Sequence, residues 1–264
     1  MADKTEFEAE LANFTAGNVH SVGDLSKGSF AQVPEGYRIE ALESLQDAPN
    51  RVRERRCFRD TASLAKYLNR FQTPTSILFS APTSQKITAV IDYHGSQDDP
   101  KHGDHSATFD AQWDSHYALW RKASGQTMSQ VKAGLFLEER AIDVIEPDAA
   151  SIMDMVMNFD ALKKVTFKQS TRLHDGQRQF TYNEENEVRG NVTLPERIKL
   201  RIPVFDGQEP DVFLVRVRYR IEDGSLMFSF EIHDQDDLER TAFERCEDSL
   251  IAEMTTPLEL LRVV

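Results

Sequence analysis

Within the twenty residues from Ile91 to Asp110, IDYHGSQDDPKHGDHSATFD, the chain places three of its seven histidines and five aspartates. Imidazole nitrogens and carboxylate oxygens are the ligands a divalent transition metal takes, and such a metal lowers the pKa of a bound water until it becomes a nucleophile. Asp92, His94, His102, Asp104 and His105 are therefore the candidate metal ligands, with Asp99 and His116 close in sequence. The chemistry implied is metal-dependent hydrolysis, including nuclease action. The spacing matches no diagnostic motif. A dinuclear centre also needs ligands from distant strand ends, and none can be named. Gly95, Pro100 and Gly103 make the stretch a loop, where polar side chains solvate the backbone at little cost, and this plainer reading is preferred. His116 lies beside Tyr117 and Trp120 on a helical pattern and reads as a packed or surface histidine.

A second set of residues could do electrostatic work. In strict alternation Lys164, Lys168 and Arg172 share one strand face, Arg197, Lys199 and Arg201 a second, and Arg216, Arg218 and Arg220 a third. Between them lie Val165 and Phe167, then Ile198, Leu200 and Ile202, then Val215, Val217, Tyr219 and Ile221. Successive strand residues point to opposite faces, so the pattern predicts an apolar inside and a cationic outside. In one sheet these nine cations would form a surface able to hold phosphates, with nearby Tyr or Phe to stack on single-stranded bases. The competing account is cross-strand pairing. A two-residue turn at Asp223-Gly224 sets Arg216 opposite Glu231 and Arg218 opposite Ser229, and one at Asp175-Gly176 sets Lys164 opposite Glu187. Such pairs contribute only about 0.2–1 kcal/mol each.

No nucleophile elbow, Walker loop, dinucleotide glycine fingerprint or His-Glu-x-x-His helix occurs, so no catalytic residue is assigned and no cofactor is called for, a divalent metal being the alternative. The formal net charge of −13 over 264 residues disfavours indiscriminate attachment to nucleic acid or anionic lipid, though not a local basic face. Two distant cysteines, Cys57 and Cys246, fit neither a disulfide framework nor a zinc ribbon and predict reduced thiols in a cytoplasmic protein. The acidic start, MADKTEFEAELANF, is no secretory signal, and no run of about 18 uncharged apolar residues spans a membrane.

The elements that must carry these residues follow from periodicity. Phe7, Leu11 and Phe14 predict an acidic amphipathic helix, and the Gly- and Ser-containing stretch after it a mobile tether, so residues 1–36 form an arm able to fold back or to bind a partner subunit. Residues 37–264 form one α+β domain, with a possible sub-boundary near 160. Strands are expected in YRIEALES and NRVRERRCF, a helix from Asp60 to Phe71, a hairpin of SILFSAP and KITAVIDYH, and a returning strand SATFDAQ. Three helices follow, in DSHYALWRKAS, MSQVKAGLFLEERAIDVI and DAASIMDMVMNFDAL. The last third changes period from 3.6 to 2. Two Asp-Gly hairpins flank the strand of ERIKLRIPVFDG, and a helix from Asp236 to about Met254 ends the chain. Strands cluster rather than alternating with helices, which predicts antiparallel sheets built from C-terminal hairpins and a central helical region.

VIDYH followed by HGDHSATF, together with VTFKQSTRLHDG, TYNEE, LPERIKLRIPVFDG and VRVRYRIEDGSLMFSFEI, resembles the YfdQ-like family, proteins of unknown function encoded by phages and prophages. The resemblance implies a phage-derived protein in the cytoplasm of a bacterial host and carries over no active site. The leading expectation is an accessory protein, a homo-oligomer without catalysis, that binds single-stranded nucleic acid or a protein partner. The alternatives are the metal-dependent hydrolase and a host-defence inhibitor whose acidic surface imitates DNA.

Overall fold

Alternation and helical period build two sheets with helices between them. The computed structural model describes residues 47–148, 151–152, 195–222 and 225–264. Met1–Arg51 and Val52–Val264 are separate units, and nearly all of the first lies outside the described residues, with the expected arm and the strand YRIEALES.

In Val52–Val264, sheet A contains β1 (Arg55–Phe58), β2 (Ile77–Ala81), β3 (Lys86–Val90), β4 (Ser106–Asp110) and β10 (Glu259–Arg262), in the order β1-β4-β3-β2-β10. The hairpin β2–β3 and the antiparallel return of β4 follow the sequence expectation. β1 falls within the expected strand NRVRERRCF, whereas β10 and the parallel pairing of both edges do not arise from local pattern. Helix α1 (Thr61–Phe71) starts where Asp60 accepts from Ser63 N at 2.6 Å, an N-cap bond that satisfies one of the orphan first-turn donors. It buries Leu64, Ala65 and Leu68.

Sheet D contains β5 (Thr127–Ser129), β6 (Val144–Glu146), β7 (Arg197–Ile202), β8 (Asp211–Glu222) and β9 (Ser225–Ile232), in the order β5-β9-β8-β7-β6, all antiparallel. The β8–β9 register sets Arg216 opposite Glu231 and Arg218 opposite Ser229, as the two-residue turn requires. The turn itself, the hairpin around Asp175-Gly176 and most of DAASIMDMVMNFDAL lie outside the described residues. α2 (Ser115–Ala123) and α3 (Gln130–Glu139) pack on this sheet, where Trp120 meets Phe230 edge-on and Phe136 stacks on it at 5.7 Å.

One expectation is corrected. The helix read over MSQVKAGLFLEERAIDVI is only α3. Thr127–Ser129 pairs with β9, and Val144 pairs with Leu200, because tertiary partners convert both apolar flanks of the helical pattern into short edge strands. α4 (Gln235–Glu253) buries Ala242, Phe243, Cys246 and Leu250, and one hydrophobic core joins it to both sheets. Among the described residues no helix is long and apolar enough to cross a membrane.

Candidate functional site

In β7 and β8 the pleat separates Ile198, Leu200, Ile202 and Val215, all buried, from Arg197, Lys199, Arg201, Arg216, Arg218 and Arg220. The pairing of Arg197 with Arg216, Lys199 with Leu214 and Arg201 with Val212 puts all six cations on one face of one sheet, since directly paired residues point the same way. Lys164, Lys168 and Arg172 lie outside the described residues.

The face is partly neutralised. Glu146 on the edge strand takes Lys199, and Glu231 takes Arg218 at 3.1 Å, a diagonal choice over the Arg216 directly opposite it. Arg216 donates to Nε2 of His233 at 3.2 Å. His233 Nδ1 meets the Asp234 carboxylate at 2.8 Å. An arginine can only donate, so Nε2 is unprotonated and Nδ1 carries the hydrogen. Arg220 donates to Thr127 Oγ1 at 3.2 Å. Among the described residues neither Arg197 nor Arg201 meets a carboxylate, and Arg197 stands in direct cross-strand register with Arg216. Like charges in that register repel, and an external anion placed between them removes the repulsion.

Aromatic stacking fares differently. Tyr219, 52% exposed, pairs with buried Phe228 and so belongs to the apolar side of the pleat. Among the described residues the cationic side carries no Phe, Tyr or Trp, so it can engage phosphates but offers no platform for bases.

The histidine-rich loop is organised by its own backbone. Asp92 accepts from the amides of Asp104 at 3.1 Å and His105 at 2.9 Å, one through each carboxylate oxygen. Lys101 N donates to Nδ1 of exposed His94 at 3.0 Å, and His102 is exposed. His105 goes inward: it is 5% exposed, lies edge-on to Tyr67 and Phe71, and sets Nε2 2.7 Å from the Tyr67 hydroxyl. That hydroxyl donates to Glu54 at 3.1 Å, so the His105 Nε2–H donates to Tyr67. Burial, then the Glu54 bond, raises the Tyr67 pKa, while the bonds from Arg56 and Tyr67 hold Glu54 below the usual carboxylate range. Among the described residues no three His, Cys, Asp or Glu side chains converge as metal ligands.

Two polar clusters escaped sequence reading. Asp143, 2% exposed, accepts from His116 Nδ1 at 2.7 Å and Trp120 Nε1 at 2.8 Å, locking the turn after α3 onto α2. Its only signal was an acid inside the apolar run AIDVI. Glu247, 3% exposed on α4, accepts from Ser80 of β2 and from Arg262 of β10 at 2.7 Å, and Arg262 also reaches Glu244 at 3.3 Å. Nothing local marks that three-element contact.

These features define an α+β protein with two sheets about one core and a cationic outer surface on the second. A family model described as an uncharacterized conserved protein (DUF2303) matches residues 3–261, and the chain belongs to that family. No curated protein and no solved structure matches it.

Proposed function

We propose that the protein is a non-enzymatic accessory protein that self-associates and binds the phosphodiester backbone of single-stranded nucleic acid across β7 and β8. The observation that carries the reading is the placement of six cations on one sheet face of a chain whose net charge is −13, with Arg197 set against Arg216. Arg197, Arg201 and Arg216 hold no carboxylate among the described residues, and they offer donors to phosphate oxygens. The lack of aromatic side chains on that face among the described residues favours contact with the backbone over base stacking, and so binding with little sequence preference. The phage or prophage origin implied by the YfdQ resemblance and a cytoplasmic location belong to the same reading.

The test is fluorescence anisotropy of a labelled mixed-sequence single strand at low salt. The chain should bind, and Arg197→Glu with Arg201→Glu should abolish binding while circular dichroism stays unchanged. Binding that survives the double reversal would sink the proposal.

A further inference from the structure

Where β9 gives way to α4, the helix start departs from the ordinary pattern. An Asp at an N-cap has extended backbone and turns its carboxylate onto the first-turn amides. Asp234 does neither. Its φ is 50° and its ψ 47°, in the left-handed region that few side-chain-bearing residues adopt, and it makes no side-chain cap bond. Its carboxylate goes back instead to Nδ1 of His233 at 2.8 Å. A conformation of this kind persists only where the surroundings hold it, and what it secures here is the orientation of one imidazole.

His233 extends β9. Its amide donates to Leu214 O at 2.9 Å, so its side chain stands on the same side of the pleat as Glu231, on the cationic face of sheet D. Arg216 lies diagonally across from it, with Arg197 on its far side. The lone pair at Nε2 that accepts from Arg216 exists only while the ring is neutral. A proton on Nε2 turns the acceptor into a donor. The bond to Arg216 is then lost, and two cationic N–H groups point into the same space, where an anionic oxygen can accept from both. Imidazole is the side chain that ordinarily changes charge between about pH 5 and 8, and this one is 27% exposed, open to protons from solvent.

The charged groups around the ring act in both directions. Arg216 and Arg218 of β8, and Arg197 of β7 beyond them, oppose a further positive charge. Glu231 and Asp234 favour it, although Glu231 is already held by Arg218 at 3.1 Å. In the first turn of α4 Asp236 and Asp237 add negative charge, Asp237 being paired with Arg240. The turn at Ser124 and Gly125, bonded to Ile232 and Phe230, is uncharged. A phosphate beside Arg216 offsets the repulsion from the arginines. Anion binding and protonation therefore assist each other, and by linkage each strengthens the other equally.

We propose that His233 is a phosphate-contacting residue that makes strand binding on sheet D proton-dependent: it takes up a proton as a phosphodiester oxygen settles between its Nε2 and the Arg216 guanidinium. The inference rests on the reading that a single strand lies on this face, and it adds to that surface a residue outside the two cationic strands.

Anisotropy of the labelled mixed-sequence strand is compared at about pH 8 and about pH 5.5, at one low salt concentration. The unaltered chain should bind about fivefold to tenfold more tightly at the acid end, the gain from one charge-assisted bond to phosphate. His233→Gln keeps a carbonyl oxygen that can accept from Arg216 but takes no proton, so it should match the unaltered chain at about pH 8 and lose the tightening. Circular dichroism at both pH values checks that each protein is folded. The ring supplies a second readout. Nitrogen NMR at about pH 8 should show His233 with Nδ1 protonated and Nε2 bare, and adding the strand at about pH 6.5 should protonate Nε2. Equal tightening in the two proteins, or none in either, with the strand still bound, overturns the role of His233 and leaves the face as the binding surface. A His233 ring carrying its hydrogen on Nε2 at about pH 8 overturns that role as well. No binding at either pH overturns both readings.

Discussion

Replacing Arg197 and Arg201 together by alanine should change how binding responds to salt, and the size of the change follows from the ion pairs on β7 and β8. Of the six cations, Lys199 and Arg218 already hold Glu146 and Glu231 and Arg220 is engaged beside Thr127, which leaves Arg197, Arg201 and Arg216 to displace counterions from a strand. With a slope of about −0.7 per phosphate neutralised, log K falls against log salt with a slope of about −2.1. From about 50 to about 200 mM salt this is roughly an 18-fold loss of affinity. Without Arg197 and Arg201 the slope falls to about −0.7 and the same step costs roughly 2.5-fold. Anisotropy titrations at four salt concentrations read both slopes, and an oligonucleotide of different composition should give the same values. Equal slopes for the two proteins would mean that the strand does not lie on this face. A strong composition dependence would mean that bases are being read, for which this surface offers no aromatic side chain among the described residues.

The remaining predictions concern the buried polar groups. Asp143→Ala leaves the Trp120 indole N–H without its acceptor in the core and should lower stability by about 1–3 kcal/mol in urea unfolding; a loss under about 0.5 kcal/mol would show that the carboxylate is dispensable. Arg262→Ala removes the charged partner of Glu247, and hydrogen exchange should show the Val263 amide, which donates to Ser80, losing protection about tenfold while β8 and β9 are unchanged. Burial pushes the Cys246 thiol up to about 11 and moves Tyr117, beside Glu239, in the same direction. For both groups the unfolded chain releases its proton first, so their stabilisation is complete below the unfolded pKa and is lost as pH rises from about 9. Cys246→Val should therefore flatten the decline between about pH 9 and 11, by up to about 2–3 kcal/mol; an unchanged alkaline limb would refute the assignment.

How much of this could be read from the sequence depends on how local each interaction is. The β8–β9 hairpin was legible to the residue, because a two-residue turn fixes register and strict alternation fixes faces; Arg216 and Glu231 do stand opposite each other. The α1 start at Asp60 and the β2–β3 hairpin were equally legible. The edges were not. β5, β6 and β10 are three or four residues long, too short for a period to emerge, and their partners lie far away in sequence. For the same reason α3 was read too long at its C-terminal end, where Val144 pairs with Leu200. At the candidate interface the cations were legible, but their neutralisation was not. The bond from Lys199 to Glu146 spans 53 positions, and the diagonal Arg218–Glu231 pair depends on rotamers that no pattern encodes. At the histidine-rich loop residue types left a hydrogen-bonded loop and a metal centre both open, and no pattern indicated that Asp92 serves backbone amides or that His105 turns inward to Tyr67.

α4 has a consequence for how the molecule comes apart. Near its start Glu239 takes the Tyr117 hydroxyl at 2.9 Å and Arg121 at 2.8 Å, both on the helix that lines sheet D. Midway, Phe243 meets Phe205 and Arg245 pairs with Asp211 of β8. Two residues further Glu247 is tied to sheet A through Ser80 and Arg262. Two separate hydrogen-bonded ladders could in principle melt one after the other. A single 19-residue rod bolted to each of them forbids that order, because neither ladder can let go without stripping the shared helix of half its anchors. Heating should therefore produce one calorimetric peak for Val52–Val264, and damage to either sheet should be felt by the other.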